Sequence, residues 1–131
     1  MSNGSFESGD YDSNEAGPGT TGWETIYPRD IDIDDWTVGL DSVYWIGGWN
    51  AAEGDLSVDL SGDAVGSVSQ ILSTTAGSNY LVSFDLSGNS HCGSVIKTVN
   101  FEIDGTTESF TFDSSLNTSV WDVTWSPQSF S

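Results

Sequence analysis

The stretch of sequence that decides the fold is VIKTVNFEIDGTTESFTFD, which spans Val95–Asp113. Within each half of it, apolar residues occupy every second position: Val99, Phe101 and Ile103, then Phe110 and Phe112. A period of two places these side chains on one face of an extended strand. Asp104-Gly105 separates the halves, and this dipeptide favours the two-residue turn of a β-hairpin. The stretch therefore predicts two antiparallel strands with one buried and one solvent-facing side.

Period-two segments recur along the rest of the chain, and no segment shows a long helical period. The alternating segments are Leu56–Leu60, Asn79–Leu86 and Val120–Trp125. Glycine-centred turns follow or precede them: Ser61-Gly62-Asp63, Ala76-Gly77-Ser78 and Ser87-Gly88-Asn89. Short strands at this spacing predict an all-β fold, an antiparallel β-sandwich of the jelly-roll kind.

Length and composition indicate one domain. The chain has 131 residues, including six Trp and six Phe, which is enough for an independent core. We therefore expect a single β-sandwich domain over residues 1–131. Gly9–Gly22 is too polar and glycine-rich for a core element and predicts a long loop. Met1-Ser2-Asn3-Gly4 lacks the basic and apolar regions of a signal peptide, so we expect a mature or excised segment.

The charge balance restricts the partners. Asp and Glu total 20 whereas Lys and Arg total 2, which gives a formal net charge of -18. Nucleic acids and anionic membrane surfaces are poor partners, because both require clustered cations. No apolar run reaches the length of a membrane-spanning helix, so we expect no direct membrane insertion. Cys92 is the single cysteine and cannot form an intrachain disulfide.

An ordered series of motifs resembles a known family. The opening Asn3–Gly9 segment, Asn-Gly-Ser-Phe-Glu-Ser-Gly, resembles the first motif of carbohydrate-binding modules with a galactose-binding-like fold. Further segments are similar, in the same order, to the bacterial choice-of-anchor C domain family: Ile33–Val38, Val43–Ile46, Trp49, Ala51–Gly62, Gly66–Gly77 and Tyr80–Asn89. Related domains occur in plant cell-wall proteins of unknown function. The resemblance covers nearly the whole chain and implies a galactose-binding-like jelly roll that is extracellular or attached to a cell surface.

Both ends depart from the pattern of that family. The family usually has an apolar strand before the first motif and further strands beyond the position of Ser131. We therefore expect a sandwich that lacks its first and last strands. Ser5–Glu7 and Gln128–Ser131 would then expose unpaired backbone. A neighbouring subunit or another part of the parent protein would complete the sheets.

The resemblance also implies a structural Ca²⁺ ion. In the fold family such an ion commonly lies near the Phe-Glu motif, which points to Glu7 with a further ligand near Glu53 or Asp55. Carboxylate and carbonyl oxygens are the ligands that Ca²⁺ prefers. The alternative is that Glu7 is an ordinary exposed acid.

A cluster of aromatic residues is the candidate ligand-binding site. Tyr44, Trp45 and Trp49 lie within six residues, Asn50 follows directly, and Trp23 borders the long loop. Sugar rings stack on flat aromatic faces, and their hydroxyls need amide or carboxylate partners. The alternative is core packing, which aromatic residues also favour. Because Tyr44 and Trp45 are adjacent, they point to opposite faces of a strand, and at least one lies outside the core.

No catalytic constellation stands out, since His91 is the single histidine and no nucleophile motif accompanies it. The leading hypothesis is a non-catalytic, calcium-stabilised extracellular module that binds a polysaccharide or glycan, or acts in cell-surface adhesion. The alternative is a structural subunit of an extracellular filament or surface assembly, which self-associates by strand exchange at open sheet edges. A third interpretation is an accessory module of a larger enzyme.

Overall fold

A computed structural model describes residues 1–12 and 22–131, and its regular structure consists of strands. The strands are β1 (Trp23–Ile26), β2 (Thr37–Leu40), β3 (Val43–Ile46), β4 (Ser57–Asp59), β5 (Gly66–Ser69), β6 (Val82–Leu86), β7 (Ile96–Ile103), β8 (Thr106–Asp113) and β9 (Ser126–Phe130). Every strand pair is antiparallel. These residues contain one short 3₁₀ turn, Ser114–Leu116, and no helix able to cross a membrane. The predicted all-β class with antiparallel sheets is confirmed.

The chain divides into two compact units, Met1–Thr74 and Thr75–Ser131. The first unit contains a three-stranded sheet of order β1-β3-β4 and a two-stranded sheet of β2 and β5. The second contains the pairs β6-β9 and β7-β8. Each unit therefore has its own pair of antiparallel sheets, an arrangement consistent with a β-sandwich. The single jelly-roll domain over 1–131 stays a prediction.

The core of the first unit is shared by its two sheets. Five buried apolar side chains form it: Ile26, Ile33, Val38, Val43 and Trp45. The alternation along β3 explains why Val43 and Trp45 belong to the core and Tyr44 does not, since Val43 and Trp45 point inward whereas Tyr44 points outward. Trp45 has no exposed surface, and its indole Nε1 donates a hydrogen bond to the Phe6 carbonyl at 2.9 Å. The core therefore also fixes the chain segment that precedes β1.

The N-terminal segment is held by side-chain hydrogen bonds together with an isolated β-bridge at Gly9. The Asn3 amide nitrogen donates to the carbonyls of Ser8 at 2.9 Å and Asp34 at 2.8 Å. The Asn3 amide oxygen accepts from the Ser8 N–H at 3.0 Å. Ser5–Glu7 forms no strand.

The long polar loop predicted over Gly9–Gly22 is described at its ends, and residues 13–21 lie outside the described residues. At its start, Gly9 forms an isolated β-bridge with Ile33. A Cβ atom at Gly9 would lie 1.9 Å from the Asp32 carbonyl oxygen. Glycine is therefore required where the loop leaves this bridge.

The predicted hairpin is present in the second unit. β7 and β8 pair in continuous register from Ile96 opposite Asp113 to Ile103 opposite Thr106. Asp104 and Gly105 form the turn with φ values of 49° and 75°, as a two-residue hairpin turn requires. Four phenylalanine rings join this hairpin to the β6-β9 pair with centroid separations of 5.0–5.7 Å: Phe84, Phe101, Phe110 and Phe130.

One prediction about the C-terminal region is wrong. Val120–Trp125 is not a strand, because the Ser119 hydroxyl accepts hydrogen bonds from the N–H groups of Trp121 at 3.2 Å and Asp122 at 3.0 Å. A local side-chain acceptor of this kind stabilises a turn in competition with a strand. The strand lies later, as β9, and it pairs with β6 along its whole length. The end of the chain therefore has a partner strand within its own unit.

The core assignment gives a stability prediction. Ile26 is 1% exposed and Ile31 is 85% exposed, and both lie in the first unit. We expect Ile26→Ala to lower the free energy of unfolding by about 2–5 kcal/mol, because it leaves a cavity. Ile31→Ala should change it by less than about 0.5 kcal/mol. Urea denaturation followed by circular dichroism measures both, and equal losses would contradict the core assignment.

Candidate functional site

A cavity of about 500 Å³ opens where β3 ends in the first unit. Its lining residues are Glu7, Tyr11, Gly47, Trp49, Asn50, Ala51, Gly54, Asp55 and Leu56. Four of them were singled out from the sequence for two separate reasons. Trp49 and Asn50 were candidate ligand contacts, and Glu7 and Asp55 were candidate metal ligands. The fold thus brings part of each predicted set to one place.

One wall of the cavity is fixed by Glu7. Its carboxylate Oε1 accepts hydrogen bonds from the backbone N–H groups of Asp55 at 3.0 Å and Leu56 at 2.7 Å. Gly54 adopts a φ of 68°, and a Cβ atom there would lie 2.4 Å from Glu7 Cδ. The loop before β4 therefore wraps closely around the Glu7 carboxylate. Glu7 is exposed, but it has a structural role in positioning Asp55.

Tyr11 forms another wall and was not predicted from the sequence. Its hydroxyl donates to the Gly22 carbonyl at 2.8 Å and accepts from the Gly47 N–H at 3.0 Å. Its ring meets Trp45 edge-on at a centroid distance of 5.1 Å. Burial raises the pKa of Tyr11, with the Gly47 hydrogen bond acting in the opposite direction. The phenol therefore stays neutral and links the two strands at one end of the β1-β3 pair.

Trp49 and Asn50 follow β3 through Gly47-Gly48. Trp49 is half-buried and Asn50 is exposed. A flat indole beside an amide and two carboxylates combines an apolar surface with hydrogen-bonding groups. Small-molecule sites commonly have this composition.

Four of the predicted site residues do not line this cavity: Trp23, Tyr44, Trp45 and Glu53. Trp45 is completely buried in the core, so the prediction that it contacts a ligand is wrong. Its apolar ring and its bond to the Phe6 carbonyl are satisfied internally. Glu53 is exposed and lies outside the cavity lining. Among residues 1–12 and 22–131, no three acidic, His or Cys side chains are grouped to hold a metal ion.

A second group of aromatic residues lies on the outer side of the β1-β3 pair. Trp23 and Tyr44, both predicted as ligand contacts, have ring centroids 5.8 Å apart. The Asp63 carboxylate accepts hydrogen bonds from the Tyr27 hydroxyl at 2.6 Å and from the Tyr44 hydroxyl at 3.0 Å. We call Trp23, Tyr27, Tyr44 and Asp63 the aromatic face. Tyr27 and Asp63 were not predicted, because they are 36 residues apart and only the fold joins them.

Hydrogen bonds from Tyr27, and secondarily from Tyr44, lower the pKa of Asp63 below its usual range. A lowered pKa stabilises the fold while the acid is ionised. This stabilisation is complete above the unfolded pKa of about 3.9 and is lost as the pH falls through the folded value.

We therefore expect the urea midpoint of the wild type to exceed that of Asp63→Asn at neutral pH, and the difference to shrink below about pH 4. The Tyr27→Phe/Tyr44→Phe double variant removes both donors, so adding Asp63→Asn to it should have no pH-dependent effect. A difference between wild type and Asp63→Asn that is constant down to low pH would contradict the assignment.

Comparisons with known proteins identify the family. A family model described as "Protein of unknown function (DUF642)" matches residues 1–129. No curated protein and no solved structure gives a significant match. The match agrees with the broader resemblance to proteins of unknown function, whereas the narrower resemblance to the choice-of-anchor C family is not confirmed by it. Because the model covers nearly the whole sequence, the chain belongs to the DUF642 family of proteins of unknown function.

Proposed function

We propose that the chain is a non-catalytic, extracellular carbohydrate-binding module that acts at a cell surface or in adhesion. The observation that carries the proposal is the shared lining of the cavity by Trp49, Asn50 and Asp55. The indole offers a stacking surface for a sugar ring, and the amide and carboxylate offer hydrogen-bond partners for its hydroxyls. The extracellular location is supported by the resemblance of the sequence to cell-surface domains.

Binding is favoured over hydrolysis by the hydrogen bonds of the Glu7 carboxylate. Glycoside hydrolysis commonly requires two carboxyl groups that flank the glycosidic bond. In the cavity, Glu7 accepts two backbone N–H hydrogen bonds through one oxygen. Both bonds hold the carboxylate against the loop before β4. This carboxylate is therefore better suited to maintaining the shape of the cavity than to approaching a glycosidic bond.

The binding proposal is tested with a panel of immobilised polysaccharides. We expect the wild type to be retained by at least one of them, and Trp49→Ala and Asn50→Ala to lose retention. Trp121→Ala is the matched control, because Trp121 is an exposed tryptophan in the second unit. Its retention should equal that of the wild type. Absence of wild-type retention, or normal retention of Trp49→Ala, would contradict the proposal.

Stabilisation by Ca²⁺ is the second part of the proposal. Glu7 and Asp55 line the same cavity, and Ca²⁺ takes six to eight oxygen ligands, including backbone carbonyls and water. The two carboxylates would form part of such a set, and their negative charge favours a cation at this position.

Calcium stabilisation predicts a difference between two glutamate variants. Added Ca²⁺ should raise the Tm of the wild type and of Glu53→Gln relative to a chelator. Glu7→Gln keeps an oxygen for the two N–H groups but loses the charge, so its Tm should not respond. Thermal unfolding by circular dichroism measures these shifts. A wild-type Tm that is the same with Ca²⁺ and with chelator would show that Glu7 acts as a hydrogen-bond acceptor alone.

A further inference from the structure

The aromatic face is built by the register of β1 and β3. Thr25 lies opposite Tyr44 and Trp23 lies opposite Ile46. Trp23 and Tyr44 are therefore diagonal neighbours on the same side of the sheet, opposite to buried Trp45. Tyr27 continues the alternation just beyond β1. Trp23 is 36% exposed and Tyr27 is 46% exposed, so this face presents ring surface to the exterior.

Asp63 holds two of these rings in fixed positions. Each of its carboxylate oxygens accepts a different phenol, from Tyr27 and from Tyr44. The two side chains lose their rotational freedom during folding and not during ligand binding. A preorganised surface of this kind binds with a smaller entropic cost.

The aromatic face and the cavity both reach the end of the β1-β3 pair at which β1 begins, from opposite sides of the sheet. Ile46 pairs with Trp23, and the next residue, Gly47, lines the cavity on the side of Tyr11. The Gly47 N–H also donates to the Gly22 carbonyl at 2.9 Å, which ties the two strands together at this end. Tyr44 and Gly47 are three positions apart, roughly 10 Å along a strand. A ligand that contacts both surfaces therefore passes over this end of the pair, which requires more than one sugar ring.

The electrostatics of both surfaces disfavour an anionic ligand. Asp63 lies on the aromatic face, Asp59 is the register partner of Tyr44, and Glu7 and Asp55 line the cavity. The whole chain has a formal net charge of -18. A polyanionic glycan would approach against this field, and repulsion would slow its association at low salt.

We propose that the aromatic face is a second subsite, and that the ligand is an uncharged linear glycan long enough to contact both the aromatic face and the cavity. This inference rests on the proposed carbohydrate-binding function and adds the length and charge of its ligand. The cavity contributes one ring contact at Trp49, and the aromatic face contributes further contacts at Trp23 and Tyr44.

The test compares ligand length with the position of the substitution. Galactomannan and mixed-linkage β-glucan serve as uncharged probes, with polygalacturonate as the anionic probe and chitosan as the cationic probe. Oligosaccharides of two and six residues are then prepared from each uncharged polysaccharide that is retained. Isothermal titration measures their affinity for wild type, Trp23→Ala, Tyr27→Ala, Trp49→Ala and the control Trp121→Ala. Circular dichroism shows that each variant is folded.

We expect Trp23→Ala to lower the affinity for the six-residue ligand by about tenfold, as the loss of a good aromatic contact does. The affinity for the two-residue ligand should change less than about twofold, whereas Trp49→Ala should weaken both ligands alike. Tyr27→Ala provides the same test should Trp23→Ala fail to fold.

Other outcomes overturn the inference in distinguishable ways. If Trp23→Ala and Tyr27→Ala bind the six-residue ligand as tightly as the wild type does, the second subsite is ruled out. If Trp49→Ala loses affinity in the same experiment, the proposed carbohydrate-binding function still holds. Stronger retention of polygalacturonate than of the uncharged probes, or chitosan retention that Trp23→Ala and Trp49→Ala both abolish, would overturn the assigned charge, because the net charge of -18 attracts chitosan without these residues. No retention of any probe by the wild type would overturn both the inference and the proposed function.

Discussion

The burial of Trp45 is the constraint on which the first unit depends. Its ring fills the core between the β1-β3-β4 and β2-β5 sheets, and its Nε1 proton bonds to the Phe6 carbonyl. An indole N–H in an apolar core needs such an acceptor, because an unsatisfied buried donor is costly. The acceptor comes from the N-terminal segment. That segment is thereby held against the core, and Glu7 is brought to the loop before β4.

Strand β3 contributes residues to both the core and the candidate site. Tyr44 and Trp45 are adjacent in β3, so the pleat sends one outward to the aromatic face and the other inward. Gly47-Gly48 then ends the strand and leads to Trp49 in the cavity lining. Tyr11 packs its ring on Trp45 and bonds to Gly47. The cavity wall is therefore an extension of the core, which gives the candidate site a rigid support.

Local patterns allowed part of this structure to be predicted from the sequence. The Asp104-Gly105 hairpin was predictable because its turn and its alternation act within a few residues. The opposite orientations of Tyr44 and Trp45 followed from the pleat, but the choice of which one is buried depends on contacts with Phe6 and Tyr11. Contacts of this kind join distant parts of the chain.

The incorrect and missed predictions also depend on contacts that the hydrophobic pattern of the sequence does not show. The alternation in Val120–Trp125 was overridden by the hydroxyl of Ser119, a competing local acceptor that hydrophobic periodicity does not register. On the aromatic face, Asp63 was one acid among twenty. Its role became visible when the fold placed it between Tyr27 and Tyr44.

With only two Lys and Arg residues, the chain has few cations to neutralise its acids. The acids with defined partners are instead stabilised by neutral donors. Backbone N–H groups bind Glu7, phenols bind Asp63, and the N–H and hydroxyl of Ser115 bind Asp113. Hydrogen bonds lower the pKa of both Asp63 and Asp113. For Asp63 and Asp113, neutral donors favour the ionised carboxylate without cancelling its charge. The surface therefore stays strongly negative even where its acids are well bound, and an uncharged ligand avoids the repulsion that an anionic one would meet.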